Sequence, residues 1–326
     1  MDIFIQKHVL LAKYTTYRTG GEAKYFATIE NEDQLIKSLA WANQNKLNVF
    51  ILGGGSNLLI SDDGFDGLVL KIQNNKQEIL KKQNKYISTF GAGVTLMTAL
   101  NYMFDYKLVN LIDLVGIPGS IGGAVRGNAG VSNKEISNGI LKVTAIKYSH
   151  LSKFNSKTKS VTLSKNKCSF HYRDSIFKHQ PYIIWEVQLI DQPAKITNQE
   201  IKNKIQEILM KRHKSQPYSL PSAGCVFKNI PLNRFPKKFQ NQTSLVVIKK
   251  GKTYQVPAGY LIEQSGLKGY QIGGAQVSNL HANFIVNSNN AKSADIYKLI
   301  QHIKQVVFKR FGVKLEEEIE LVGFKQ

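Results

Sequence analysis

The stretch Val115-Gly116-Ile117-Pro118-Gly119-Ser120-Ile121-Gly122-Gly123-Ala124-Val125 carries no charge, and five of its eleven residues are Gly or Pro. A backbone this bare of side chain can approach a flat or phosphorylated ligand closely, and glycine reaches the positive φ angles that such a turn needs. Arg126-Gly127-Asn128-Ala129-Gly130 continues it in small, polar residues. A buried glycine turn between core elements would read the same way. A second glycine segment upstream, Gly53-Gly54-Gly55-Ser56-Asn57, shifts the balance. It follows the apolar strand pattern Asn48-Val49-Phe50-Ile51-Leu52 and fits neither Gly-x-Gly-x-x-Gly nor a Walker loop. It reads as a backbone nest, in which successive N–H groups and the Ser and Asn side chains wrap an anion such as a pyrophosphate. A plain strand-to-strand turn is the competing reading.

Outward from these segments, the order is strand, helix, strand, glycine segment, which is how α+β and α/β domains place phosphate sites. Lys24–Ile29 reads as a strand. Asn31-Glu32-Asp33-Gln34 resembles a capping box for a helix with Leu35, Ile36, Leu39 and Ala42 at helical spacing. Strands are predicted over 58–60, 66–72, 86–90 and 182–190, a helix over 95–106 and a hairpin over 141–165. The two glycine segments thus flank one α/β unit, an arrangement suited to clamping a long, two-ended cofactor. Gln192-Pro193-Ala194-Lys195 reads as a domain boundary, followed by a helix with Ile201, Ile205, Ile208 and Leu209 on one face. Residues 230–256 predict an irregular, basic surface excursion, and 258–266 a short helix. Ser293 is placed to cap a last helix over Ile296, Leu299, Ile300, Ile303 and Val307, stopped by Gly312. Leu315–Phe324 reads as a closing strand.

The 326 residues allow two or three domains, and 42% hydrophobic with 21% charged content is ordinary for a globular protein. The formal charge of +21 raises nucleic-acid binding as a possibility. Only six of the 44 basic residues are Arg, and no run of five basic residues occurs. The pattern favours a solvated, Lys-rich surface, which also draws polyphosphorylated ligands. The two cysteines, Cys168 and Cys225, make neither a disulfide framework nor a metal site, as in a reducing compartment. Met1–Lys7 has no signal-peptide pattern, and no apolar run approaches ~18 residues. The expectation is a cytoplasmic protein with no membrane insertion and no metal.

Six motifs occur in order: Gly53-Gly54-Gly55-Ser56-Asn57, the run 116–124, Tyr172-Arg173-Asp174-Ser175, Ser222-Ala223-Gly224-Cys225-Val226-Phe227-Lys228-Asn229, Ala258-Gly259-Tyr260-Leu261-Ile262-Glu263-Gln264 and Leu315-Glu316-Glu317-Glu318-Ile319. Together they resemble the UDP-N-acetylenolpyruvoylglucosamine reductase (MurB) family, in the form that lacks an extra tyrosine-loop insertion and has Cys in the proton-donor slot. The resemblance implies an α+β chain. Its FAD-binding domain, of the vanillyl-alcohol-oxidase (PCMH) type, would cover 1–192 in two lobes, about 1–72 and 73–192. A C-terminal α+β substrate-binding domain would cover 200–326, with the closing strand 315–324 returning to the active site. FAD is the implied cofactor and NADPH the co-substrate. Leu52, Gly53, Gly54, Gly55, Ser56 and Asn57 would hold the pyrophosphate. Gly116, Ile117, Pro118, Gly119, Ser120, Gly122, Gly123, Ala124 and Asn128 would lie along the ribityl chain and the isoalloxazine ring.

The reaction so implied reduces UDP-N-acetylglucosamine enolpyruvate to UDP-N-acetylmuramate for peptidoglycan synthesis. NADPH reduces FAD, reduced flavin N5 gives a hydride to the vinyl carbon, and an acid protonates the neighbouring carbon. Charge building on the substrate carboxylate must be stabilised. The resemblance gives that role to Arg173 and to Glu318, the latter protonated or sharing a proton. It makes Cys225 the proton donor; a thiol of pKa ~8.5 is mostly protonated at neutral pH. Tyr172, Asn229 and His281 would contact substrate. Blander roles stay open: an Arg173–Asp174 ion pair, a solvated face for Glu318 among Glu316, Glu317 and Glu320, a small buried Cys225, a solvated His281. Cys168 is expected to be inert.

The chain departs from the family pattern at Glu320, where Arg is common, in lacking an aromatic after Asn128-Ala129-Gly130, and in a longer 230–256. The expected partner is a small molecule, the UDP-sugar enolpyruvyl ether, bound by a monomer without nucleic acid. The alternatives are another FAD-linked oxidoreductase of the same fold and a basic nucleic-acid-binding protein.

Overall fold

The computed structural model describes residues 3–131, 134–148, 160–240, 245–250 and 253–324. The chain forms two units. One gathers Met1–Val9, Ala23–Gly54 and Asp66–Lys211, the other Leu10–Glu22, Gly55–Phe65 and Arg212–Gln326.

In the first unit, a four-stranded sheet has the order Gln6–Leu10, Glu22–Ile29, Phe65–Ile72, Asn48–Leu52. The last two strands run parallel, with Leu52 opposite Lys71. Alternation sends Val49, Ile51, Leu68 and Leu70 to one face, where they join the core. The helix Glu32–Gln44 buries Leu35, Leu39 and Ala42 in that core. Asn31 caps it by accepting from the Gln34 N–H at 2.9 Å, while the Gln34 side chain reaches back to the Glu30 N–H at 2.8 Å. The second sheet is antiparallel throughout, in the order Ser160–Ser164, Ile140–Lys147, Tyr182–Asp191, Lys85–Gly91, Gln77–Lys82. Its first two strands are the sides of the expected hairpin; residues 149–159 lie outside the described residues. The helices Leu96–Phe104 and Ile121–Arg126 pack in the same core.

In the second unit, Leu58–Ile60 pairs in parallel with Glu320–Val322. Two antiparallel three-stranded sheets follow, one of Ile230–Pro231, Thr253–Val256 and Ile248–Lys250, the other of Gln271–Ile272, Ala275–Val277 and Ile285–Asn287. The helix Ser293–Phe311 buries Ile296, Leu299, Ile300, Ile303 and Val307, and Gly312 ends it at φ 72°.

Several expectations are corrected here. The units do not divide at Gln192–Lys195. After that turn the chain returns to the first core, where Ile201 is buried and Ile205, Ile208 and Leu209 pack, so the division falls inside the helix Asn198–Ser215. The second unit is not the block 200–326 alone, because Tyr17 and Leu59 belong to its core. Among its described residues, segment 230–256 is not irregular: it contributes the strands Ile230–Pro231, Ile248–Lys250 and Thr253–Val256, and Phe235 and Val256 are buried. The closing strand is three residues, Glu320–Val322, with Glu317 making only an isolated bridge to Phe227. Ser293 is not the cap of the last helix. The Ser293 and Ala294 N–H groups each donate at 2.9 Å to the carboxylate of Asp62. An anion at a helix N-terminus satisfies orphan donors and meets the positive end of the dipole. Asp62→Ala is therefore expected to destabilise the second unit by about 1–2 kcal/mol, seen as a lower midpoint in urea unfolding.

Candidate FAD and reductase site

In the first unit the two glycine segments touch. A Cβ on Gly54 would overlap Gly119 Cα and stand 2.7 Å from the Ser120 nitrogen; one on Gly53 would stand 2.7 Å from Ser120 Oγ. The two segments therefore pack directly against each other, backbone to backbone, at Gly54 and Gly119. Gly119 takes φ 114°, an angle that strains any residue with a side chain. The second half of the 116–124 run is not loop: Ser120 Oγ accepts from the Gly123 N–H at 3.3 Å and starts the helix Ile121–Arg126. Ile121, Gly122, Ala124 and Val125 turn into the core, while Gly123 is exposed and would put a Cβ into open space, with only Ser120 Oγ near it at 3.5 Å.

Among the described residues, the N–H groups of Gly54, Gly119 and Ser120 find no protein acceptor. Lys71 lies on the same sheet face as Leu52, half-buried, and its Nζ donates to the Gly53 carbonyl. Burial lowers the pKa of this ammonium. Open donors and a cation beside bare backbone suit the diphosphate of FAD, which neutral N–H groups hold without a titrating partner. Leu52 and Ala124 are buried and can offer only backbone; Gly116 and Ile117 are half-buried and Pro118 is exposed. Asn128 is a correction. Its side chain is fully buried, donating to Glu135 Oε2 at 2.7 Å and the His171 carbonyl at 2.8 Å and accepting from the Ser137 N–H at 3.3 Å, so it braces the protein.

Arg173 also belongs to the first unit. It sits at φ 56° in a turn closed by His171 N–H to the Asp174 carbonyl at 3.0 Å and Asp174 N–H to the His171 carbonyl at 3.1 Å. Its guanidinium lies 5.3 Å from the Tyr172 ring centroid and donates to the Gly130 carbonyl at 2.8 Å. Asp174 is not the ion-pair partner of Arg173 that the blander reading allowed: His179 Nε2 contacts its two oxygens at 2.8 and 2.9 Å. Burial alone would raise the Asp174 carboxyl, but hydrogen bonds from His179 and the Ser175 N–H outweigh it and hold the pKa low.

In the second unit, Gly55 accepts from the Thr16 N–H at 3.1 Å, and Ser56 is half-buried. The Asn57 amide donates to the Glu318 carbonyl at 3.0 Å and so tethers the closing segment, while the residue stays exposed. The Glu318 N–H donates to the Val226 carbonyl at 2.7 Å, which sets Glu318 beside the Cys225 segment. Asn229 accepts from the Ala258 N–H at 3.2 Å and so caps the helix Ala258–Gln264. His281 is half-buried, not solvated; burial lowers its pKa, and its Nδ1 accepts from the Asn283 N–H at 3.2 Å. Asn283, which the sequence reading missed, is buried and clamps the segment after Cys225. It accepts from the Phe227 N–H at 3.0 Å and donates to the Phe227 carbonyl at 2.8 Å. Lys71 was missed as well, because a lone Lys in a strand looks like solvated surface until the register is known.

The fold and this turn define an α+β FAD-binding protein. Residues 23–149 match the family model described as FAD binding domain, and 216–322 match UDP-N-acetylenolpyruvoylglucosamine reductase, C-terminal domain. The chain is 35% identical over 99% of its length to the UDP-N-acetylenolpyruvoylglucosamine reductase of Prochlorococcus marinus subsp. pastoris, covering 98% of that protein. It is 36% identical over 98% of its length to that of Acaryochloris marina, covering 93% of it. The crystal structure of MurB from Thermus caldophilus superposes with a TM-score of 0.73 at 28% identity, over 98% of this chain and 100% of that one. This chain belongs to the UDP-N-acetylenolpyruvoylglucosamine reductase family. Among its described residues, no helix is long and apolar enough to cross a membrane, and no group of three or more His, Cys, Asp or Glu could hold a metal ion.

Gly123→Leu has room in the fold and raises helix propensity, so it is expected to keep thermal stability while abolishing FAD binding, read by flavin fluorescence. The thiols should differ too. Cys168 is buried, and burial pushes its pKa up to about 11, whereas Cys225 is half-buried. Iodoacetamide at about pH 8 should therefore alkylate Cys225 well before Cys168, as mapped by peptide mass spectrometry.

Proposed function

We propose that this protein is a UDP-N-acetylmuramate dehydrogenase, reducing UDP-N-acetylglucosamine enolpyruvate to UDP-N-acetylmuramate with NADPH in peptidoglycan precursor synthesis. The observation that carries this reading is similarity to the named reductases along nearly the whole chain. FAD, when bound, would supply the two-electron redox chemistry between NADPH and the enolpyruvyl group. The Gly53–Gly54 and Gly119–Ser120 turn seats the diphosphate, with Ser56 and the exposed backbone about Gly123 as further contacts.

In this reading Cys225 Sγ gives the proton to the carbon beside the one reduced, and solvent returns a proton to the sulfur. Arg173 and Glu318 stabilise the charge that builds on the substrate carboxylate. Both are held by backbone contacts that leave little freedom: Arg173 by its closed turn, Glu318 by Val226 on one side and Asn57 on the other. Tyr172, Asn229 and His281 are the substrate contacts we infer, with His281 neutral because burial disfavours its charged form. We read the protein as a cytoplasmic monomer acting on small molecules. Its charge of +21 then serves as a field that draws the diphosphates of the UDP-sugar, FAD and NADPH rather than nucleic acid.

The Cys225→Ala variant tests the assignment. NADPH added anaerobically should still bleach its flavin spectrum, while the enolpyruvyl substrate should no longer restore it. Full reoxidation by that substrate would remove Cys225 from the mechanism. A wild-type flavin that bleaches but ignores the substrate would move the reading to another acceptor on the same fold.

A further inference from the structure

The peptide between Gly53 and Gly54 faces two ways. Its carbonyl accepts from Lys71 Nζ, and its N–H is one of the open donors of the turn. In a trans peptide these two groups point in opposite directions. Whatever fixes the carbonyl therefore fixes the direction of the N–H. A Gly-Gly peptide resists reorientation least of all, since neither side carries a Cβ. Something outside the turn must hold it, and Lys71 is the side chain that does.

Lys71 is an unusual choice for that task. It is half-buried, and no carboxylate pairs with it among the described residues. Its place is set by the parallel register, Leu52 opposite Lys71, which puts it on the face away from Leu68 and Leu70 and directly beside the end of the strand Asn48–Leu52. A half-buried ammonium without a counter-charge is costly. An anion held on the other side of the Gly53–Gly54 peptide recovers that cost, and the cation polarises the peptide so that its N–H donates more strongly.

We propose that Lys71 is a positioning residue for FAD, holding the Gly53 carbonyl so that the Gly54 N–H is presented to the cofactor's diphosphate. This rests on the seat described above. The residue need not touch FAD. Its ammonium acts through the peptide plane, and its charge makes the turn selective for an anion. Because burial lowers the Lys71 pKa, the ammonium is lost below the pH at which a free lysine titrates. FAD affinity should then fall as pH rises through that alkaline window.

The test is titration of the deflavinated full-length protein with FAD, followed by flavin fluorescence, for wild type, Lys71→Met, Lys71→Arg and Gly123→Leu across neutral to alkaline pH. Lys71→Met should raise the FAD dissociation constant about ten- to a hundredfold, the range of a charge-assisted hydrogen bond. Lys71→Arg, which keeps the donor and the charge, should stay near wild type and hold its affinity at high pH. The alkaline loss should be present in wild type and absent from both variants. Wild-type affinity in Lys71→Met, or an alkaline loss that persists in Lys71→Arg, would overturn the proposal. The comparison of wild type with Lys71→Arg decides the matter even if the methionine variant does not fold. Should Gly123→Leu bind FAD normally, the seat itself is wrong. Should it lose FAD while Lys71→Met does not, the seat stands and only the role of Lys71 falls.

Discussion

Two stretches of backbone meet at Gly54 and Gly119 at a distance that excludes any side chain between them. That approach joins the end of a parallel strand to the start of a short helix, elements that belong to different layers of the first unit. Ser120 can then cap its helix, and the N–H groups of Gly54, Gly119 and Ser120 are left without protein acceptors among the described residues. Lys71 under the turn and exposed Gly123 beside it acquire meaning only from that contact. Widening it by a single methyl group would separate the donors and take away the site's shape before it touched any side chain that does chemistry.

Much of this was legible in the sequence because it is local. The Asn31 cap, the apolar faces of the helices at 32–44 and 293–311, and the Gly312 stop all follow from spacing within a few residues. The glycine segments announce themselves by composition. What could not be read is fixed by partners far away along the chain. Asp62 caps a helix that begins more than two hundred residues later. Lys71 gains its place from register, and Asn283 from pairing with Phe227. Asn57 and Asn128 show the same limit from the other side. Their types suit a cofactor contact, yet the Asn128 side chain is buried in hydrogen bonds to the protein and Asn57 spends one on the Glu318 carbonyl. An amide side chain near a ligand loop serves a ligand or a scaffold equally well by its chemistry, and only its neighbours decide.

The titrating groups share a logic. His281 is kept toward its neutral form by burial, and the Cys168 thiol is pushed up by the same cause. Asp174 is kept charged because His179 and a backbone N–H outweigh its partial burial. Burial sets the direction for the first two, and hydrogen bonding sets it for the third.

The pairing of Leu58–Ile60 with Glu320–Val322 also bears on how the chain is made. On the ribosome, residues 58–60 are made about 260 residues before their strand partner. The Asp62 carboxylate meets its helix N-terminus only when Ser293 and Ala294 have been made. The first unit, whose last segment ends at Lys211, can complete itself during synthesis. The second waits for Glu320–Val322, and closing that pair spans about 260 residues. A message truncated shortly before residue 320 would therefore release a product with a finished cofactor half and an unclosed second half, which quality-control proteases are suited to remove.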